Sequence, residues 1–236
     1  MRTFLLRSIG DGAARLAGLM APPPLLAVAA LLLGGCAGAP EWLGPVAVET
    51  RHAPVNHLGE VRLPPDLRRV ALLPVWTGGL IVPEARAEFD RTFADALQAG
   101  MRFEVVPVSR DWCRQRFGVE EFSSSAALPH DLLAKVAAEH GADGVVFVDL
   151  TSYRDLRPLA IGVRAKLATA PEPRLVWSYD ELLSAADPGV ANSAKADART
   201  RRASDLPVDL SASVLQSPSR FAAYVAATAF GTLPPR

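Results

Sequence analysis

Apolar positions along this chain recur with two periods, and together they divide it into alternating strands and helices. Arg69–Trp76 (RVALLPVW) is apolar without alternation, the pattern of a strand buried on both faces, and Pro74 suits its end. Beyond Thr77-Gly78-Gly79, the residues Ala85, Phe89, Phe93 and Leu97 follow four apart. That spacing predicts an amphipathic helix over 84–99, with Pro83 in its first turn and Gly100 at its stop. Phe103–Val108 reads as a second strand. Ser109 is placed to cap a short helix ending at Gly118, and 129–140 predicts another, with Leu132, Leu133, Val136 and Ala137 inward and Gly141 after it. Gly144–Leu150 (GVVFVDL) is again a strand buried on both faces.

The period then changes to two. Leu159, Ile161, Val163, Ala165 and Leu167 alternate with residues that include Arg164 and Lys166, which marks a half-exposed strand. A turn at Ala170-Pro171-Glu172-Pro173 returns the chain into Leu175–Tyr179, so 158–183 predicts a hairpin. Helices over 187–203, opened by Asp187-Pro188, and from Ser217-Pro218, with Phe221, Val225 and Ala229 four apart, close the series. The order β-α-β-α-β-β-β-α-α predicts an α/β fold, with helices packed on a mixed sheet of about five strands.

The first 67 residues lack either period. A loosely basic start leads into Leu25–Leu33 (LLAVAALLL), well short of the roughly 20 apolar residues of a spanning helix. Pro22, Pro23 and Pro24 interrupt anything longer. This is the pattern of a secretory signal. Its end, Leu33-Gly34-Gly35-Cys36, resembles the lipobox of bacterial lipoproteins. That resemblance implies cleavage after Gly35, lipid on Cys36 and a membrane anchor, with Ala37 in place of an aspartate favouring the outer membrane over the inner. Residues 1–35 are therefore expected to be a signal peptide, and 36–67 the lipidated cysteine and a Pro-rich tether spanning about 30 Å. Residues 68–236 are expected to form a single α/β domain facing the periplasm. In the tether His52 and His57 read as solvated side chains, since no carboxylate or cysteine joins them at ligand spacing.

Composition narrows the function classes. Lysine plus arginine and aspartate plus glutamate both number 25, for a formal net charge of zero, so the basic footprint of a nucleic-acid binder is missing. The two cysteines are Cys36 and Cys113. With Cys36 consumed by lipid, the domain depends on packing and not on a disulfide.

The opening RRVALLPV, the amphipathic helix, FEVVPV, HGADGVVFVDL and the hairpin ending in VWSYDE together resemble a group of small envelope lipoproteins. These are the curli-secretion lipoprotein type, the penicillin-binding-protein activator type and the N-terminal domain of the Tol–Pal propeller protein. The resemblance covers about residues 68–230 and lies in element order and soft motifs. It implies a protein that acts by contact with an envelope partner, through assembly, activation or a secretion channel. It transfers no functional residue.

Searching for chemistry turns up no phosphate loop, G-x-S-x-G elbow, H-E-x-x-H or C-x-x-C. No catalytic, cofactor or metal-binding set is expected, beyond the covalent lipid on Cys36. Ser123-Ser124-Ser125 reads as loop. A thiol hydrolase pairing Cys113 with His130 or His140 is the sharpest catalytic alternative. Against it, Cys113 reads as a small core residue beside Trp112, and His140 as a favourable helix C-terminal cation. Asp143 reads as a turn or cap, and Glu120 and Glu121 as pointing apart. Asp149 and Asp155 stand near the end of the third strand, where α/β domains often bind ligands. The reading is a noncatalytic, lipid-anchored module that binds another envelope protein, with a secretion-channel subunit as the alternative. A channel would need transmembrane hairpins, and only 158–183 has strands of suitable length.

Overall fold

The computed structural model describes residues 50–236 apart from Pro171 and residues 202–210. The signal segment and the lipobox at Leu33–Cys36 lie outside the described residues. No helix among the described residues is long and apolar enough to cross a membrane.

In chain order the elements are β1 (His57–Gly59), β2 (Arg69–Leu72), α1 (Pro83–Ala99), β3 (Glu104–Pro107), α2 (Arg110–Phe117), α3 (Leu132–His140), β4 (Gly144–Arg154), β5 (Ala160–Thr169), β6 (Leu175–Ser184), α4 (Pro188–Arg201), a 3-10 turn (Ser211–Leu215) and α5 (Pro218–Gly231). The strands form one mixed sheet in the order β1-β6-β5-β4-β2-β3. β2, β3 and β4 run parallel, while β4, β5, β6 and β1 are joined antiparallel. The α/β class holds, with six strands against about five expected.

Local signals work largely as read. Pro83 begins α1, and Ser109 caps α2 by accepting from the Trp112 N–H at 3.1 Å. Gly118 and Gly141 end α2 and α3 in the left-handed conformation, with φ of 75° and 60°. Gly100 stays right-handed at φ −67°, and the left-handed residue there is Met101 at φ 48°. Asp187 caps α4 through the Gly189 and Val190 N–H groups. Asp143 ties the α3–β4 junction to β2, accepting from the N–H groups of Arg68 and Arg69 at 2.9 Å each.

The sheet is covered unequally. On one face Val70, Leu72, Val146, Val163, Trp177 and Tyr179 pack into the main core with Phe93, Leu97, Phe221 and Val225 of α1 and α5. On the other, Ala71, Leu73, Val145 and Phe147 pack under Cys113, Leu132 and Val136 of α2 and α3. β2 and the first half of β4 are therefore buried on both sides, which explains their unbroken apolar runs. The second core does not extend over β5 and β6, and that difference produces the period of two in Ala160–Thr169. The β5–β6 hairpin is held between β4 and β1 as part of the sheet.

One boundary needs correction. Residues 50–67, expected as tether, belong to the folded unit. Leu63 and Leu67 are core residues, β1 pairs with β6, and the His52 N–H donates to Gly189 O at 3.1 Å. His52 is not a solvated side chain either: its Nε2 lies 3.2 Å from Glu181 Oε2. The prolines that made this stretch look like a linker separate short segments, each docked on the domain by contacts far away in sequence.

Candidate functional site

β2 ends early at Leu72 because Pro74 lacks the N–H that would continue its ladder. The chain nevertheless stays beside β4. Trp76 forms a parallel bridge with Asp149, its N–H donating to Val148 O and its O accepting from the Leu150 N–H, at 2.8 Å each. Gly78, at φ +55°, packs beneath the indole, and a Cβ there would lie 2.6 Å from the nearest ring atom. Only glycine allows this turn so close to the ring. Next to Trp76, the loop between α2 and α3 folds over the end of the strand. A cleft of about 500 Å³ opens between them, lined by Trp76, Phe117, Val119, Phe122, Leu128 and Pro129, with Glu121, Ser123 and Ser125 as its polar members.

The loop is pinned from below by a carboxylate. Asp149, 1% exposed, accepts from Ser123 Oγ at 2.8 Å, from the Ser124 N–H at 2.9 Å and from Ser124 Oγ at 3.1 Å. Lys166 Nζ donates to Ser124 O at 2.8 Å, and Arg164 reaches Ser125 Oγ at 3.3 Å while its Nε donates to Asp180. The serine run is loop, as read. Its hydroxyls serve a buried acid, which the sequence did not reveal. Asp155 takes no part and lies exposed in the β4–β5 turn.

A second knot clamps the other side of the cleft. Arg110, the first residue of α2, grips Asp90 of α1 with Nε and Nη2 at 2.7 and 2.9 Å. It also donates to Glu121 at 2.5 Å and to Val75 O at 2.8 Å. Asp90 accepts from the Val75 N–H, and Glu121 from the Thr77 N–H. Burial alone would lower the guanidinium's pKa, but bonds and charge from Asp90 and Glu121 raise it above the ordinary arginine value. Glu120 turns away to Arg114 and Arg86, so the adjacent glutamates do point apart. Sequence reasoning missed Arg110 and Asp90, since their pairing joins successive helices and follows no local spacing.

Cys113 is fully buried in the second core, and burial pushes its thiol up to about 11. His140 packs edge-on against Trp112 at 4.8 Å between centroids, and its Nε2 has no hydrogen-bond partner. Burial lowers the pKa of that imidazole, against the cationic reading. His130 is exposed at the far end of the loop. The geometry offers no thiolate–imidazole pair at Cys113.

No family model matches the sequence, and no curated relative is detected. Solved structures with a similar course of chain include the PelC dodecamer from Paraburkholderia phytofirmans, at 14% identity over 76% of this chain and 96% of that one, with a TM-score of 0.45. Lipoprotein GNA1162 from Neisseria meningitidis is similar at 16% identity over 57% of this chain and 99% of that one, with a TM-score of 0.40. The LpoB C-terminal domain from Salmonella enterica follows at 18% identity over 49% and 82%, with a TM-score of 0.33.

Proposed function

We propose that this chain is a lipid-anchored module of the cell envelope that binds another envelope protein and performs no chemistry on it. The observation that carries this reading is the state of the acids around the cleft. Asp149, Glu121 and Asp90 each spend their oxygens on fixed structural donors, and Arg110 spends its guanidinium on two of them. General acid–base work needs a group poised to exchange a proton with a substrate. These groups hold the walls of the cleft in place. What they leave facing solvent is largely apolar and aromatic, a lining suited to a partner's apolar side chain.

The anchor belongs to the same proposal. Lipid on Cys36, after the Leu33-Gly34-Gly35 motif, would hold the domain at the outer membrane with its cleft in the periplasm. Each buried methylene contributes about 0.8 kcal/mol. Residues 50–67 pack on the domain and are not part of the tether.

A photo-crosslinking residue at Val119, which is 45% exposed at the cleft, tests both parts in intact cells. A discrete protein adduct is expected, lost in Trp76→Ala and weakened in Cys36→Ser. Recovery of only monomer and lipid from Val119, or an adduct indifferent to Trp76→Ala, would refute the reading.

A further inference from the structure

The two edges of the sheet are finished differently. At β3 the N–H groups of Glu104 and Val108 donate to Arg68 O and Leu72 O of the neighbouring chain. Alternation then turns Val105 and Pro107 outward. The Val105 N–H is taken by Gln98 Oε1 at 3.2 Å, and Pro107 has no N–H to offer. That edge is closed to another strand.

β1 is open. The Asp180 N–H donates to Asn56 O, and the Glu60 N–H to Val176 O, so Asn56, Leu58 and Glu60 are the residues bonded to β6 in the observed register. The N–H and C=O of His57 and Gly59 therefore point away from the sheet. Around them Val55, Leu58 and Val61 are 83%, 76% and 90% exposed, a density of uncovered apolar side chains that a free strand edge normally avoids.

We propose that β1 is where two copies of this chain pair, edge to edge and antiparallel, about a two-fold axis through Leu58. In that register His57 exchanges both backbone hydrogen bonds with Gly59 of the second copy. Leu58 meets its own counterpart as a non-bonded pair, and beyond the paired residues the two-fold brings Val55, whose N–H turns back to Glu181, towards Val61. The two-fold that pairs His57 with Gly59 therefore also brings the three exposed apolar side chains of one copy towards those of the other. Glu60 falls opposite Asn56, so next to the paired residues no charge meets its own sign. A head-to-tail chain of copies would need the β3 edge, which is closed, so the contact is isologous and stops at two. On the reading of Cys36 given above, identical copies share one leaflet, which raises the effective concentration for so short a contact. The pairing itself rests on the edge geometry; only its strength rests on the anchor.

The test is Leu58→Cys in the full chain, oxidised mildly in intact cells. Across a non-bonded antiparallel pair the Cα atoms lie about 4.5 Å apart, within reach of a disulfide. A shift to a covalent dimer at twice the monomer mass is expected. Leu156→Cys, 75% exposed in the β4–β5 turn, should remain monomeric. Adding His57→Pro to Leu58→Cys removes the outward N–H and spares the bonds to β6, so the dimer band should be lost with the melting temperature unchanged. The proposal is overturned if Leu58→Cys dimerises no more than Leu156→Cys, or is captured by a different protein instead. The Val119 crosslink reads a separate surface, so either result stands if the other fails.

Discussion

At the scale of single residues, the buried Asp149 shows how a charged group becomes structural. An unpaired carboxylate in that position would be costly, and three donors from Ser123 and Ser124 offset the cost. Replacing it with asparagine puts an NH₂ where acceptors are required and leaves at least one hydroxyl or N–H unmatched. Asp149→Asn is expected to lower stability by about 1–3 kcal/mol. Faster amide exchange at Ser124 and Ser125, with the sheet amides little changed, would mark the loss as local to the cleft. Exchange that rises uniformly across the domain would show that Asp149 supports the whole fold. The run Ser123-Ser124-Ser125 was legible as loop because small polar residues between two helical patterns seldom pack as core. Its attachment to Asp149 was not legible, since β4 arrives only after α3 has intervened.

At the scale of elements, Arg110 joins α1, α2 and the end of β2, and so decides how the helices on opposite faces sit relative to one strand. Its side chain is 14% exposed and that of Glu121 16%, so the pair is not fully screened. Truncating one partner leaves the acids uncompensated, which costs about 3–5 kcal/mol for a fully buried pair and about 2–3 here with solvent access allowed for. Arg110→Met should therefore lower the denaturant midpoint with an unchanged m-value, and reduce crosslinking from Val119 as the cleft wall loosens. If stability held and crosslinking alone fell, Arg110 would be a contact residue and not a clamp. Helix limits were readable from Pro83, Ser109, Gly118 and Gly141, each acting on its own turn. The end of β2 was overestimated for the opposite reason: Val75 and Trp76 continue beside β4, but Pro74 cannot bond across.

For the whole molecule, the segment from residue 50 to β1 is held chiefly at Glu181. That carboxylate accepts from the Val55 and Asn56 N–H groups at 2.6 and 3.0 Å, with His52 Nε2 and Tyr179 Oη at 3.2 Å. Burial would raise its pKa, but these donors and the His52 ring outweigh burial and hold it below the ordinary carboxylate value. Burial and the nearby Glu181 charge raise the Tyr179 hydroxyl, which stays protonated as a donor. A depressed folded-state pKa makes the contribution complete above the unfolded value, about 4.3, and removes it as pH falls through the folded one. Residues 50–60 are thus expected to detach in acid below about pH 4, seen as proteolysis there ahead of global unfolding. Glu181→Gln should show the detached behaviour already at neutral pH. An acid profile identical in wild type and Glu181→Gln would remove Glu181 from this role.

The sequence by itself determined most of the secondary structure, β1 and the end of β2 excepted, and its class. A strand buried on both faces, a half-buried hairpin and four-spaced helices each write their own period, and caps and prolines act within a turn. It also carries Leu33-Gly34-Gly35-Cys36, a local motif that resembles a lipobox and lies outside the described residues. Tertiary structure decided what depends on distant parts meeting: that 50–67 belongs to the domain, that Asp149 and Arg110 frame a cleft, and that among the described residues one sheet edge is sealed and the other open. Leu63 and Leu67 have no periodic neighbours to announce them. β1 forms only because β6 has an unpaired side to offer. Hydrogen-bond parity at an edge follows from register, and register is settled only when the strands pair.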